Sequence, residues 1–131
     1  MVERAKDWLA QADRDLDNAQ YNSQGEYYEW ACFVAQQAAE KALKAIYQSR
    51  GGEAWGHSLV SLVRGLAEKL ELPADLLQHA RDLDRYYIAA RYPNGWAEGA
   101  PKDMYSERDA AHAIACAQAI LRFSHGLLAR S

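Results

Sequence analysis

No run in this sequence approaches the roughly eighteen apolar residues of a membrane-spanning helix, and the opening MVERAKDWLAQ is charged and amphipathic rather than built like a signal peptide. Cysteine is scarce too. Cys32 and Cys116 each fall on the apolar side of a helical pattern, which suits buried free thiols in a reducing compartment better than a disulfide. A soluble cytoplasmic protein is expected. An excess of positive charge is also missing: 15 Lys and Arg face 18 Asp and Glu, a formal charge of -3. No global basic field exists to drive non-specific binding to duplex DNA, so any nucleic-acid contact must be local. Strand alternation of useful length, internal repeats and low-complexity segments are lacking. So are a glycine-rich phosphate loop and a serine-centred nucleophile elbow, which removes the common nucleotide-hydrolase and acyl-transfer signatures.

What is present reads as helix. Half of the 131 residues are hydrophobic, enough for a single domain over 1–131 with its own core. Ala5, Trp8, Leu9, Ala12, Leu16 and Ala19 recur at helical spacing and place a first helix over roughly 3–20. Asp13, Asp15 and Asp17 lie inside that pattern, and Asn18 and Gln24 stand where a calcium loop needs glycine and glutamate, so they form a solvated face. Ser23 and Glu26 have capping-box spacing and predict a second, alanine-rich helix over 26–50, with an i,i+4 pair of Glu40 and Lys44 and a stop at Gly51-Gly52. Ser58 is placed to cap a third helix carrying Leu59, Leu62, Val63, Leu66 and Leu70. Pro73 suits the first turn of a fourth, with Leu76, Leu77, Ala80, Leu83, Tyr87 and Ile88 on its apolar side. Ser106, followed by Glu107 and Asp109, opens the last. The expectation is all-α, a five-helix up-and-down bundle.

Function is expected in the loop after the fourth helix. Within Leu83–Tyr105, Arg91, Tyr92, Trp96 and Tyr105 sit among two prolines and two glycines, and structureless loops of that length inside a compact domain are usually functional or disordered. Arginine offers a planar fork of donors to phosphate, and the aromatic rings can stack a base. Each has a plainer use: Arg91 can cap the carbonyls ending its helix, and Tyr92 and Trp96 can cover core or fill an interface. His57 at a helix entry could donate to an anion or move a proton, or simply bond to a neighbouring loop. Lys41 and Lys44 complete the candidate ligand-binding set as a local cationic patch. No metal site is expected. His112 and Cys116 lie one helical turn apart, but zinc needs three or four ligands, and neither His79 nor His125 is placed by sequence to complete the set.

Three motifs occur in order. Gln36-Gln37-Ala38-Ala39-Glu40-Lys41-Ala42-Leu43-Lys44 lies on the second helix, His57-Ser58-Leu59 opens the third, and Ala90-Arg91-Tyr92-Pro93 ends the fourth. Together, over nearly the whole chain, they resemble the HEPN domain family. That resemblance implies a helical bundle that commonly dimerises. It also implies a nucleotide- or RNA-binding module, often the partner of a small nucleotidyltransferase in toxin-antitoxin-type pairs, with no cofactor. Other members are metal-independent ribonucleases, whose arginine is followed after four to six residues by a histidine. Here Trp96, Ala97 and Glu98 occupy those places, so no catalytic residue is assigned and the expectation leans away from an enzyme. Arg50 and His57 share the spacing but flank an earlier loop. A ribonuclease using His57 with Arg50 or Arg91, and a non-enzymatic interaction bundle, stay open as alternatives.

Overall fold

The computed structural model describes residues 3–130. Seven α-helices appear among them: α1 (Ala5–Gln24), α2 (Tyr28–Ser49), α3 (Leu59–Ala67), α4 (Leu76–Asp84), α5 (Tyr86–Ala89), α6 (Pro101–Met104) and α7 (Glu107–Ala129), with a 3-10 turn at Pro93–Gly95. The described residues contain no strand, and no helix among them is long and apolar enough to cross a membrane.

The all-helical bundle is as expected, with α2 at its centre touching every other helix. The reason lies in side-chain size. Ala31, Ala35, Ala38, Ala39, Ala42 and Ala45 of α2 are wholly buried, as are Ala12 and Ala19 of α1 and Ala110, Ala113 and Ala117 of α7. Small residues on all three helices let their backbones approach closely, and dispersion grows with that close packing. Leu43, Ile46, Leu59, Leu76, Leu83 and Ile120 fill the remaining space, each contributing about 1.5–3 kcal/mol by burial. Cys32 and Cys116 are free and buried. Gly65 carries no Cβ where the Tyr47 hydroxyl sits, and that hydroxyl donates to the Leu62 carbonyl at 2.7 Å and draws α3 onto α2.

Several boundaries differ from expectation. Ser23 does not cap α2; it lies in the last turn of α1, where its carbonyl accepts from the Glu26 N–H at 3.1 Å. Nothing before Gly25 removes a donor or favours a non-helical backbone, so the ladder runs on, and the reversal is made by Glu26 at φ 68°. Pro73 lies ahead of its helix, its carbonyl accepting from the Leu76 N–H in a turn. The fourth helix is interrupted at Arg85, giving α4 and the single turn α5. The long loop is folded rather than irregular, holding both the 3-10 turn and α6. Ser58 and Ser106 cap α3 and α7 through their side chains, and Gly51, at φ 76°, ends α2.

Candidate functional site

One polar stripe of α2 organises the site. Gln36 is fully buried, and its Nε2 donates to the His57 carbonyl at 2.9 Å. Gln37 in turn donates to the Gln36 Oε1 at 2.8 Å. One helical turn after Gln36, Glu40 is 5% exposed and receives Lys44 Nζ at 3.1 Å. Its two oxygens stand 3.0 and 3.2 Å from His57 Nδ1. An ionised carboxylate can only accept, so Nδ1 is the donor in this contact and Nε2 faces away from Glu40. The backbone beyond His57 is fixed from α4: the Asp84 carboxylate accepts from the Leu59 and Val60 N–H groups at 2.8 and 3.1 Å and from the Ser58 hydroxyl at 3.2 Å. A carboxylate at a helix N-terminus satisfies free donors and complements the helix dipole.

Arg91 and His57 meet on the same tyrosine. The His57 ring stacks on Tyr87 with centroids 4.7 Å apart and planes 18° from parallel. The Arg91 guanidinium carbon lies 4.7 Å from the Tyr87 centroid, 4.3 Å from Phe33 and 5.0 Å from Tyr92, distances at which ring quadrupoles attract a cation. Arg91 Nε donates to the Tyr87 carbonyl at 2.8 Å, so the residue does cap its helix end. Among the described residues it has no carboxylate partner. Arg91 also lines a shallow cleft of about 200 Å³ whose walls include Trp30, Pro101 and Lys102.

The other candidates are distributed differently. Tyr92 is 47% exposed beside Arg91. Trp96 is engaged within the fold: its indole N–H donates to the Ala89 carbonyl at 2.8 Å, and its ring meets Tyr105 edge-on at 5.7 Å. Lys41 is paired with Asp15 of α1. Lys44 neutralises Glu40 and lies 5.9 Å over the Trp8 ring. Arg50, the C-cap of α2, lines a separate cavity with Tyr47 and Lys69. Sequence reasoning passed over Tyr87, Phe33, Glu40 and Lys102 as parts of this surface. Only Tyr87 and Arg91, four apart and therefore on one helical face, left a readable signal. Away from this site, potential ligand atoms of Asp82, His112 and Cys116 cluster within 4.8 Å.

These features define a helical domain with an aromatic surface centred on one arginine. The HEPN domain family model matches residues 5–127, and the chain belongs to that family. Solved structures agree. The chain is 44% identical to TT1696 from Thermus thermophilus, with a TM-score of 0.92 over 95% of this chain and 98% of that one. It is 46% identical to ST0689, an archaeal HEPN homologue, with a TM-score of 0.81 over 96% and 98%. A HEPN domain protein from Thermotoga maritima, tm0613, is 36% identical, with a TM-score of 0.79 over 95% and 98%. Comparison with curated proteins gave no significant match.

Proposed function

We propose that this HEPN domain binds the phosphate and base of RNA or of a free nucleotide at the surface around Arg91. The observation that carries this reading is the guanidinium held against Phe33, Tyr87 and Tyr92 without a carboxylate partner among the described residues. Ring contacts orient the planar fork and leave its outer N–H groups for an anion; Lys102, paired with Asp103 at 3.2 Å, and Glu29 line the same cleft. Trp30, 44% exposed, and Tyr92 offer faces on which a base can stack. The cleft is smaller than the roughly 300–1,000 Å³ of enclosed ligand pockets. That size favours a strand or terminal phosphate lying across the surface over an engulfed nucleotide. Arg91 carries the binding reading, with His57 stacked on the same Tyr87 and Tyr92 adding a stacking face; Trp96 anchors the loop through Ala89, Lys44 acts through Glu40, and Lys41 is paired with Asp15 instead.

The test is quenching of tryptophan fluorescence by ATP, GTP and short single-stranded RNA. Saturable quenching that weakens in Arg91→Ala supports the reading, and no response to any of the three contradicts it.

A second reading, a metal-independent ribonuclease, is favoured by one observation. Glu40 holds His57 Nδ1, leaving Nε2 free to take a proton from a ribose hydroxyl, and Tyr87 links that ring to the cation. RNA cleavage in excess chelator that disappears in His57→Ala would establish it. A homodimer and a nucleotidyltransferase partner in a toxin-antitoxin-type pair rest on family membership; exposed Trp30, Ile88 and Tyr92 supply apolar surface suited to either contact.

A further inference from the structure

Helices α4 and α7 pack against each other, and at their contact three side chains converge on a single nitrogen. His112 Nε2 stands 3.0 Å from Asp82 Oδ2 and 3.6 Å from Cys116 Sγ, and the three ligand atoms all lie within 4.8 Å of one another. An ordinary histidine-aspartate pair accounts for two of these groups. It leaves the third only loosely engaged: with the Nε2 proton donated to Asp82, the buried Cys116 sulfur, a weak donor and acceptor, has a long 3.6 Å contact to the same nitrogen. A cation takes all three at once. Zinc bond lengths of about 2.0–2.1 Å to nitrogen, 2.0–2.2 Å to oxygen and 2.3 Å to sulfur place neighbouring donors of a tetrahedral site roughly 3.4–3.6 Å apart; the nitrogen–sulfur separation of 3.6 Å already meets this, and the 3.0 Å nitrogen–oxygen contact has to open slightly as a metal replaces the hydrogen bond.

We propose that Asp82, His112 and Cys116 form a three-ligand site for a zinc-class divalent cation, with the fourth position open to water or an exogenous ligand. The surroundings fit this use. Gln78 Nε2 donates to the other Asp82 oxygen at 2.9 Å and so turns Oδ2 toward the site, as outer-shell partners of metal-binding carboxylates do. Arg85 approaches only that outer oxygen, at 3.9 Å, and is 73% exposed. Cys116 is 1% exposed and closes the site from the core, while His112, 54% exposed, opens it to solvent. Nitrogen and sulfur donors select zinc, cobalt and their neighbours over magnesium and calcium, which want oxygen. On binding, the imidazole and carboxylate supply lone pairs, and the thiol loses its proton to solvent as the sulfur-metal bond forms. The site would pin α4 to α7.

The test is titration of the chelator-stripped full chain with cobalt, followed by zinc. The expected result is one cobalt per chain with thiolate-to-cobalt charge-transfer absorption, displaced by zinc, together with a Tm raised by zinc and unmoved by magnesium. His112→Ala, at an exposed position that spares the fold, should remove the band and weaken zinc on the order of 100-fold or more, and Gln78→Ala about tenfold. Cys116→Ser should lose the sulfur band, and Cys32→Ser should keep it. If Cys116→Ser fails to fold, His112→Ala still decides. Absence of the band in the wild type, or its persistence in His112→Ala, overturns the proposal.

Discussion

His57 and Tyr87 lie ring against ring, 4.7 Å between centroids and 18° from parallel, and this contact ties the loop before α3 to the turn that presents Arg91. The site is therefore assembled from three directions: Glu40 of α2 holds the histidine, Asp84 of α4 holds the start of α3, and Tyr87 of α5 carries the arginine.

Glu40 is shared by Lys44 and His57 while nearly buried. Replacing it by Gln keeps the shape and removes the charge that both partners face. Stability should fall by about 1–3 kcal/mol, since hydrogen bonds to charged groups and desolvated pairs are costly to break. Urea denaturation measures the change, and a loss below about 0.5 kcal/mol would contradict the role given to this carboxylate.

Asp84 should matter more to α3 than its own cap does. Asp84→Ala leaves the Leu59 and Val60 amides without their acceptor and should cost about 1–2 kcal/mol, against about 0.5–1 kcal/mol for Ser58→Ala. Hydrogen exchange at those amides should quicken in the first variant. Unchanged exchange would show that α3 is held elsewhere.

The contrast between these two residues marks what was legible in the sequence. Ser58 and Ser106 were readable as caps because their partners lie three residues away, and the alanine-rich pattern of α2 announced a central helix. Partnerships across the fold were not readable. Glu40 with His57, Asp84 with Leu59, Lys41 with Asp15 and Asp82 with His112 depend on which helices become neighbours, and local spacing carries no record of that. Ser23 misled because capping-box spacing says nothing of whether the preceding helix has ended. The motif around Arg91 contains residues that do lie together, Arg91 against Tyr92, while Trp96 beside them has its polar atom committed to Ala89.

Trp96→Phe should cost about 1 kcal/mol by leaving the Ala89 carbonyl without its donor. Tyr105 loses part of its edge contact as well. Thermal unfolding reads the effect, and an unchanged Tm would mean that the indole does not anchor the loop.

The fold should weaken in alkali. Burial, joined by the charge of Cys32 and then Asp109, pushes the Tyr105 phenol from 10.0 up to about 12, and burial drives Tyr86 further in the same direction. Burial also raises the Cys32 thiol from 9.0 to about 12, with Asp109 and Glu29 adding to it, and Cys116 to about 11, with Asp82 adding to it. The folded chain holds these protons more tightly than the unfolded one, so their contribution is whole below about pH 9 and shrinks as pH rises toward 12. Tm should be flat at neutral pH and fall above about 9, less steeply in Tyr86→Phe and Tyr105→Phe. A Tm constant up to about pH 11 would contradict the buried neutral groups.

The central claim is that Arg91 binds phosphate, and the most direct measurement is fluorescence anisotropy of a labelled short single-stranded RNA titrated with wild type, Arg91→Ala, Arg91→Lys, His57→Ala and an exposed control, Arg14→Ala. A charge-assisted hydrogen bond is worth about 1.5–3 kcal/mol, so Arg91→Ala should weaken binding by about tenfold to a hundredfold. Lysine cannot reproduce the planar fork and should rescue only part of it. Arg14→Ala should bind as the wild type does. Equal affinity for Arg91→Ala and the wild type would contradict the account.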